Sequence, residues 1–372
     1  MKKFFEFIKK EIVFCVAALL AAFSMLLVPP SSMYLSYIDF RVLALLFCLM
    51  VVVAELRNLG VFEQIRQLTM KVVHNTRSLA FALVMTCFFL SMWITNDVSL
   101  ITFVPFAILV LQKTGQEKLL VPVIVLQTVA ANLGSMCTPI GNPQNLYLFT
   151  AAGLSIGAFL KLMLPLTILS ALLLCFAVCL IKKEPIADLG ESEPLAWGQK
   201  GNKWKLILFT VLFLLCLLTV LHMVPYQVTL GVILVAMAVA DPRLFKQADY
   251  ILLLTFVAFF VFVGNMKNVP IVHAFLSNCV NGNEILVSIL ASQVISNVPA
   301  AVLLSGFTDN LKGLLIGTNV GGLGTLIASM ASLISYKLYA GTGHADVKKY
   351  IFSFTLVNLV FLILLSVAAF LY

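Results

Sequence analysis

The chain has 372 residues, of which 62% are apolar, while lysine, arginine, aspartate and glutamate together make up 11%. Soluble domains carry about 25% charged residues, and this much apolar surface cannot be hidden in one soluble core. The composition therefore excludes a water-soluble globule, a disordered chain and a disulfide scaffold, and it indicates an integral membrane protein. The net charge of +8 does not indicate a nucleic-acid partner, because the basic residues stand in short groups between apolar runs.

The apolar runs predict helices that cross a membrane. A helix needs roughly 20 apolar residues to cross the hydrocarbon core. Nine crossings follow in chain order: 12–28, 40–55, 119–150, 154–181, 204–222, 226–240, 250–265, 311–340 and 350–371. The first follows basic residues as a signal peptide would, but no small-residue cleavage site comes after it, so we interpret it as a span.

Two further apolar stretches are interrupted in the middle by polar residues. Residues 79–111 contain the sequence ITND, and residues 284–307 contain ISNVP. A backbone broken at membrane depth is tolerated only where protein or a water-filled cavity satisfies its polar groups. We therefore interpret both stretches as re-entrant hairpins, which enter and leave the membrane on the same side.

The basic residues predict the orientation, since they collect on the cytoplasmic side of a membrane protein. With the N-terminus inside, all but four of the 24 lysines and arginines fall in cytoplasmic segments. The topology therefore predicts a multi-pass protein of the cytoplasmic (inner) membrane with its N-terminus inside and its C-terminus outside. The four exceptions are Arg41, Lys161, Lys267 and Lys312.

A polar linker, 182–205, divides the chain into halves 1–181 and 206–372, and the halves resemble each other. Three blocks align between them: VAELRNLGV (53–61) with VGNMKNVPI (263–271), Ile94-Thr95-Asn96 with Ile295-Ser296-Asn297, and ANLGSMCTPIGN (131–142) with TNVGGLGTLIAS (318–329).

The charge-based topology gives the two halves opposite orientations, so the repeats are inverted. Inverted repeats whose equivalent segments are both broken helices are typical of a secondary transporter, with its site between them. The first half would hold hairpin 79–111 and broken helix 119–150. The second would hold hairpin 284–307 and broken helix 311–340.

The two broken helices are rich in small, hydroxyl and amide side chains. Breaking a helix frees carbonyls on one half and N–H groups on the other. Neutral oxygen ligands suit Na⁺, whereas a transition metal would need a His, Cys or carboxylate cluster. Close helix packing is the alternative role for the small residues. The residues are Asn132, Gly134, Ser135, Thr138, Gly141, Asn142, Pro143 and Asn145 in the first half, and Thr318, Asn319, Gly321, Gly322, Gly324, Thr325 and Ser329 in the second.

Asp97 is the one acidic residue that the predicted spans place deep in the apolar region. An intramembrane carboxylate could bind H⁺ or Na⁺, or sense the substrate. It could equally cap a helix within the hairpin tip, where aspartate is favoured. The sequence leaves both roles open.

Four segments carry a resemblance to a known group of transporters. TNDVSLITFVPF (95–106), ANLGSMCTPIGNPQN (131–145), SNVPAAVLL (296–304) and GTNVGGLGTLIAS (317–329) resemble the ion transporter superfamily. That superfamily contains divalent anion/sodium symporters, citrate permeases, arsenite permeases and sodium/proton antiporters. The resemblance covers essentially the whole chain. It implies an all-α fold of about nine membrane helices and two hairpins, a homodimer, and an elevator motion of the hairpin-bearing domain.

The resemblance also implies Na⁺ sites at the two hairpin tips and a substrate between them. The tips here read Thr-Asn-Asp and Ser-Asn-Val-Pro, where the symporter branch has a Ser-Asn-Thr signature. They look closer to the arsenite-permease and antiporter branches. The candidate cation ligands are Thr95, Asn96, Asp97, Gly134, Ser135, Ser296, Asn297, Asn319, Gly321 and Gly324. The candidate substrate contacts are Asn96, Thr138, Asn142, Pro143, Asn297 and Thr325.

The sequence thus predicts a cation-coupled secondary transporter, not an enzyme, that moves a small anion with Na⁺ or H⁺. The anion would be a di- or tricarboxylate such as citrate, or an inorganic oxyanion. The alternative is a Na⁺/H⁺ antiporter or an arsenite-type permease. An ion channel is more distant, because a channel needs no paired hairpins in inverted repeats. No cofactor beyond the coupling ion is expected. The expected partners are the anion, the lipid bilayer and a second copy of the chain, with no nucleic acid.

Overall fold

The computed structural model describes residues 11–70, 73–186, 203–343 and 345–371, and its regular elements there are helices. The basic N-terminal segment 1–10 and residues 187–202 of the predicted linker lie outside the described residues. The α-helices are α1 Ile12–Leu27, α2 Tyr34–Tyr37, α3 Phe40–Asn58, α4 Val61–Met70, α5 Thr76–Ile94, α6 Asn96–Lys113, α7 Leu120–Ser135, α8 Pro143–Ala151, α9 Ile156–Cys179, α10 Lys203–Val220, α11 Tyr226–Ala240, α12 Tyr250–Lys267, α13 Pro270–Val280, α14 Glu284–Ile295, α15 Asn297–Leu304, α16 Leu311–Val320, α17 Met330–Ala340 and α18 Val347–Leu371.

Within the described ranges, seven helices are long and apolar enough to cross a membrane. They are α5, α6, α7 with the short turn before it, α9, α10, α12 and α18. The α13–α14 pair would be an eighth if it were one span, but it bends by 110°. Helices α1 and α11 are apolar and shorter. The chain is an all-α polytopic membrane protein, which confirms the predicted fold class.

In the first predicted hairpin, α5 and α6 are separated by the single residue Thr95 and lie side by side. The Ser99 hydroxyl on α6 donates to the carbonyl of Cys87 on α5 at 3.3 Å. The buried Gln127 amide on α7 donates to the carbonyls of Leu83 and Phe103, at 3.3 and 3.5 Å. Both arms are therefore attached to α7. The second predicted hairpin is shorter, because α14 has 12 residues and α15 has 8.

The helices pack as two groups. Helix α1 packs on α12, and α10 and α11 pack on α3, which together form one group. The hairpins, α7–α9 and α16–α18 form the other. The groups meet where α8 packs on α3 and where α15 packs on α12. The residues of both hairpin tips therefore lie close to the boundary between the groups.

Two equivalent glycines let the broken helices approach the hairpins. A Cβ on Gly134 of α7 would overlap the carbonyl of Phe88 and the hydroxyl of Ser91 on α5. A Cβ on Gly321 would overlap Ile289 and Ser292 on α14 in the same way. These glycines occupy matching positions of the aligned segments. Close helix packing therefore explains why each of the two is a glycine.

Gly134→Ala and Gly321→Ala are each expected to lower the unfolding free energy by about 1–3 kcal/mol, because the added methyl overpacks the contact. Thermal unfolding in detergent measures the change. Gly231→Ala in α11 is the matched control, since its Cβ would meet nothing within 4 Å, and alanine is the better helix former. Equal melting temperatures for all three variants would contradict the close contact.

Candidate functional site

The two hairpin tips have the same unusual backbone. Thr95 has φ 72° and ψ 151°, and Ser296 has φ 73° and ψ 153°. Few residues other than glycine adopt this region, which costs on the order of 1–3 kcal/mol. The turn makes the N–H of the next residue available, so Asn96 donates to the carbonyl of Gly141 at 3.1 Å, and Asn297 donates to that of Ala328 at 2.9 Å. Each tip is thus hydrogen-bonded to the break in the broken helix of its own half.

The breaks themselves fall at equivalent places. Helix α7 ends at Ser135 and α8 begins at Pro143, while α16 ends at Val320 and α17 begins at Met330. Within the breaks, Thr138 donates its hydroxyl to the carbonyl of Met92. Thr325 donates to the carbonyl of Gln293 at 3.0 Å. Each threonine therefore ties its break to the backbone three residues before a hairpin tip.

Amide side chains join the two halves across the breaks, in what we name the crossed amide network. Asn132 of the first half accepts a hydrogen bond from the Ser329 hydroxyl at 2.9 Å, and its amide lies 3.4 Å from the hydroxyl of Ser332. Conversely, the Asn319 oxygen accepts from Asn142 at 3.1 Å, and the Asn319 amide donates to Asn145 at 2.6 Å. These six side chains are buried.

Residues at equivalent positions of the two halves make these contacts. Asn142 and Asn145, which bond to Asn319, align with Ser329 and Ser332, which contact Asn132. The tip of the first hairpin also joins the network, since the Asn96 amide donates to the Asn132 oxygen at 3.1 Å. Breaking a helix in a membrane leaves polar groups that cannot be left without partners. In this chain each half supplies partners for the asparagine of the other half.

A cavity of about 230 Å³, named here the tip cavity, lies between the first hairpin tip and helices α3 and α12. Thr95, Asp97, Asn142 and Pro143 line it from the hairpin-bearing group. A smaller cavity of about 60 Å³ continues from it, shares Asp97 and Pro143, and reaches Ser296 of the second tip. Both tips therefore face adjoining spaces at the boundary between the helix groups.

Of the described residues, three with charged side chains line the tip cavity: Asp97, Asp249 and Arg57. Asp249 caps α12 by accepting the Leu252 N–H at 2.9 Å. Asp97 lies in the first turn of α6, and its buried Oδ1 has no hydrogen-bond partner among the described residues. The described hydrogen bonds therefore give no support to the capping role, and a residue with one unpartnered carboxylate oxygen lines the cavity.

The predicted site residues fall into three sets. Thr95, Asp97, Asn142, Pro143 and Ser296 line the two adjoining cavities. Asn96, Ser135 and Asn319 lie in or beside the crossed amide network behind them. The others hold the breaks and hairpins together. Thr138 and Thr325 bond to hairpin carbonyls, Gly134 and Gly321 pack on hairpin arms, Asn297 bonds to its own helix start and to Ala328, and Gly324, at φ 104°, lies beside Gln293.

Sequence reasoning missed several residues of the site. Asp249, Gln247 and Met330 line the tip cavity, and Ser332 belongs to the crossed amide network. Two of these had a signal in the repeat. Asp249 is equivalent to Asp39 at the offset of the first aligned block, and both cap the start of an apolar helix. Ser332 is equivalent to Asn145 at the offset of the third block.

A second, larger cavity of about 650 Å³, named here the vestibule, lies beyond α8. Tyr147 and Ala151 of α8 line it, together with Ser305, residues 308–312 and Lys267. The Tyr147 and Ser305 hydroxyls lie 2.7 Å apart. The start of α8 lines the tip cavity and its end lines the vestibule, so this short helix stands between the two spaces.

The sequence profile of the citrate transporter family (CitMHS) matches residues 4–312. The chain belongs to this family. It is 32% identical over 305 residues to the uncharacterized transporter MJ0456 of Methanocaldococcus jannaschii, covering 82% of each chain. It is 31% identical over 310 residues to the inner membrane protein YbiR of Escherichia coli, covering 81% of this chain and 80% of the relative.

A more distant relative carries a more specific name. The silicon efflux transporter LSI3 of Oryza sativa subsp. japonica is 33% identical over 129 residues, which are 34% of this chain and 26% of that protein. Membership of the family makes this chain a multi-pass membrane transporter of the citrate-transporter type and not an enzyme. The superfamily resemblance inferred from the motifs is thereby confirmed.

The tip backbone gives a test of the site's construction. Thr95→Gly and Ser296→Gly are each expected to raise the unfolding free energy by about 1 kcal/mol, because glycine adopts this backbone region without strain. Thermal unfolding in detergent measures the change. Thr95→Ala is the matched control, since it removes the hydroxyl and keeps the strain. A destabilised Thr95→Gly variant would mean that the threonine side chain matters more than its backbone angle.

Proposed function

We propose that this family member is a secondary transporter that moves a small anion together with Na⁺ or H⁺. The preferred substrate class is a di- or tricarboxylate such as citrate, and an inorganic oxyanion is the second choice. The observation that carries the proposal is the crossed amide network, which brings both helix breaks and the first hairpin tip together beside the tip cavity. Inverted broken helices of this kind are used by secondary transporters to bind substrate and coupling ion.

Cation coupling is supported by the charges of the tip cavity. Asp97 and Asp249 face the same space as Arg57, so an anion entering it meets two carboxylates and one guanidinium. Neutralising a carboxylate with Na⁺ or H⁺ removes that repulsion, and the anion would then bind better after the cation. This order of binding links the two fluxes. The neutral oxygens of Thr95, Asn96, Ser296 and Asn297 are the candidate ligands if the cation is Na⁺.

An elevator motion is the proposed form of transport. The hairpins and broken helices pack as one group against α1, α3 and α10–α12, so one group could slide as a body along the other. A homodimer in the inner membrane is also part of our proposal for this chain. The positive-inside rule would place the N-terminus and Arg57 on the cytoplasmic side.

A Na⁺/H⁺ antiporter is the second candidate, and the unpartnered oxygen of Asp97 favours it. A carboxylate with one unpartnered oxygen, in the same cavity lining as Asp249, can exchange H⁺ for Na⁺ with no anion involved. The two candidates use the same residue and differ in whether an anion crosses. They are therefore separated by flux measurements.

Reconstituted liposomes test the function directly. Labelled citrate and succinate are supplied with an inward Na⁺ gradient, an inward H⁺ gradient or neither, and orthosilicate is added to the panel because of the name of the rice relative. We expect uptake of one anion to depend on one gradient. If no anion moves and an outward Na⁺ gradient acidifies a lumen loaded with a pH dye, the antiporter replaces the symporter.

Asn96→Ala is expected to lower uptake by between about tenfold and a hundredfold, because the amide links the first tip to Asn132 and a small misplacement of a positioning group can cost up to about a hundredfold in rate. The initial uptake rate of purified, folded protein measures the effect. Asn268→Ala is the control, since Asn268 bonds to Tyr37 and the Gly264 carbonyl at the end of α12. Normal uptake by a folded Asn96→Ala protein would contradict the assigned site.

Asp97→Asn is expected to flatten the pH dependence of uptake if H⁺ is the coupling ion, or to weaken Na⁺ activation if Na⁺ is. The charged groups facing it are Asp249 and Arg57 in the tip cavity, and Glu11 in the adjoining one. Asp346→Asn is the control, because Asp346 caps α18 by accepting the Lys349 N–H away from both cavities. An unchanged pH profile and Na⁺ dependence would exclude Asp97 from coupling.

A further inference from the structure

The vestibule collects basic side chains where the topology predicts few. Lys267 and Lys312 are two of only four basic residues on the predicted external side, and both line this one cavity of about 650 Å³. Among the described residues that line the vestibule, Asp309 is the acidic one. The vestibule therefore carries a net positive charge on a side of the membrane where lysine is otherwise rare.

The charged groups of these two lysines have no partner in the part of the chain that the structure describes. Among the described residues neither forms an ion pair or a side-chain hydrogen bond, and Asp309 does not pair with either. Both side chains are exposed to the cavity and its opening. Unpaired cations that line one concave space raise the local concentration of anions there. Thr308, Asn310 and Ser305 add hydroxyl and amide groups to the same wall.

The repeat relates Lys267 to a residue that already faces the transport site. Lys267 ends α12 and aligns with Arg57 at the end of α3, and Arg57 lines the tip cavity. Helix α12 has 18 residues and is thus about 27 Å long, with Asp249 of the tip cavity at its start and Lys267 of the vestibule at its end. Equivalent cations of the two halves therefore face two different cavities, with α8 between them.

We propose that the vestibule is a separate, low-affinity binding site for a small multivalent anion, held by Lys267 and Lys312. A di- or tricarboxylate or an oxyanion bound there waits beside the Tyr147–Ser305 contact before it reaches the tip cavity. The role of this site in transport rests on the proposed function, in which the protein moves an anion. Its existence as an anion site does not depend on flux, and it can be tested without transport.

The test places a thiol in the vestibule at Ala151, which is exposed and lines the cavity. Ala151→Cys protein in liposomes is treated with impermeant methanethiosulfonates of negative or positive charge, and mass spectrometry reads modification at position 151. For each variant we compare the modification rate by the anionic reagent with that by the cationic reagent. The double variant Lys267→Gln/Lys312→Gln should lower this ratio about fivefold, because it removes two exposed positive charges. Asp309→Asn should raise the ratio, and 1 M salt should abolish these differences.

Citrate at millimolar concentration should slow the modification, and it should do so less in the double lysine variant. Lys161→Gln is the matched control, since Lys161 lies on α9 and does not line the vestibule, and its ratio should stay unchanged. If the ratio of the two modification rates is the same with and without the two lysines, the proposal is wrong. Protection by phosphatidylglycerol in the liposome with none by citrate would also overturn it, because the lysines would then hold a lipid headgroup.

Transport then separates this inference from the proposed function. If the wild-type protein takes up the anion, the double lysine variant should take it up with a KM about fivefold higher at low ionic strength and with an unchanged kcat. An unchanged KM together with an unchanged thiol ratio would remove the vestibule site and leave the transporter standing. A charge-dependent thiol ratio in protein that transports no anion would keep the site and remove the symporter.

Discussion

The structure depends on one constraint: a helix that is broken inside a membrane must find partners for its polar groups within the protein. Here the partners of each break come partly from the other half of the chain. Asn132 is held by Ser329 and Ser332, and Asn319 by Asn142 and Asn145. The two hairpin tips add backbone hydrogen bonds to the same breaks. A polar centre can therefore exist at this depth without a single lysine or arginine in the network.

The same arrangement explains why the cavities lie where they do. The amides of the crossed network are largely occupied with one another, so the space left for a ligand is at the boundary with α3 and α12. Asp97, Asp249 and Arg57 meet there, and the charges come from both helix groups. Any displacement of one group along the other would change the distance between Asp97 and Asp249. Under the proposed cation coupling, the affinity for the cation would therefore depend on the relative position of the two groups.

The sequence predicted the helical membrane fold, and it located the two tips and the two breaks, because each carries a local signal. The tips are polar pairs inside apolar runs, and both breaks contain glycine, threonine and a serine or asparagine before the next helix. Other features have no local signal. Thr138 and Thr325 look like ligands in the sequence, yet their hydroxyls bond to hairpin carbonyls, and only tertiary packing decides which oxygen a threonine finds. Asp249 looks like an ordinary helix cap, and its place beside Asp97 depends on how α12 packs.

The reciprocal bonding of the asparagines has a consequence for how the protein is made. While the first half emerges from the ribosome, Asn132 has none of its partners from the second half, because Ser329 and Ser332 are about 200 residues further along the chain. A membrane-inserted first half therefore carries buried amides that are only partly satisfied, and buried amides without partners are costly. The half-molecule should be a substrate for membrane quality control until the second half inserts. Synthesis of the two halves as separate polypeptides would then give stable protein only when both are present in one membrane.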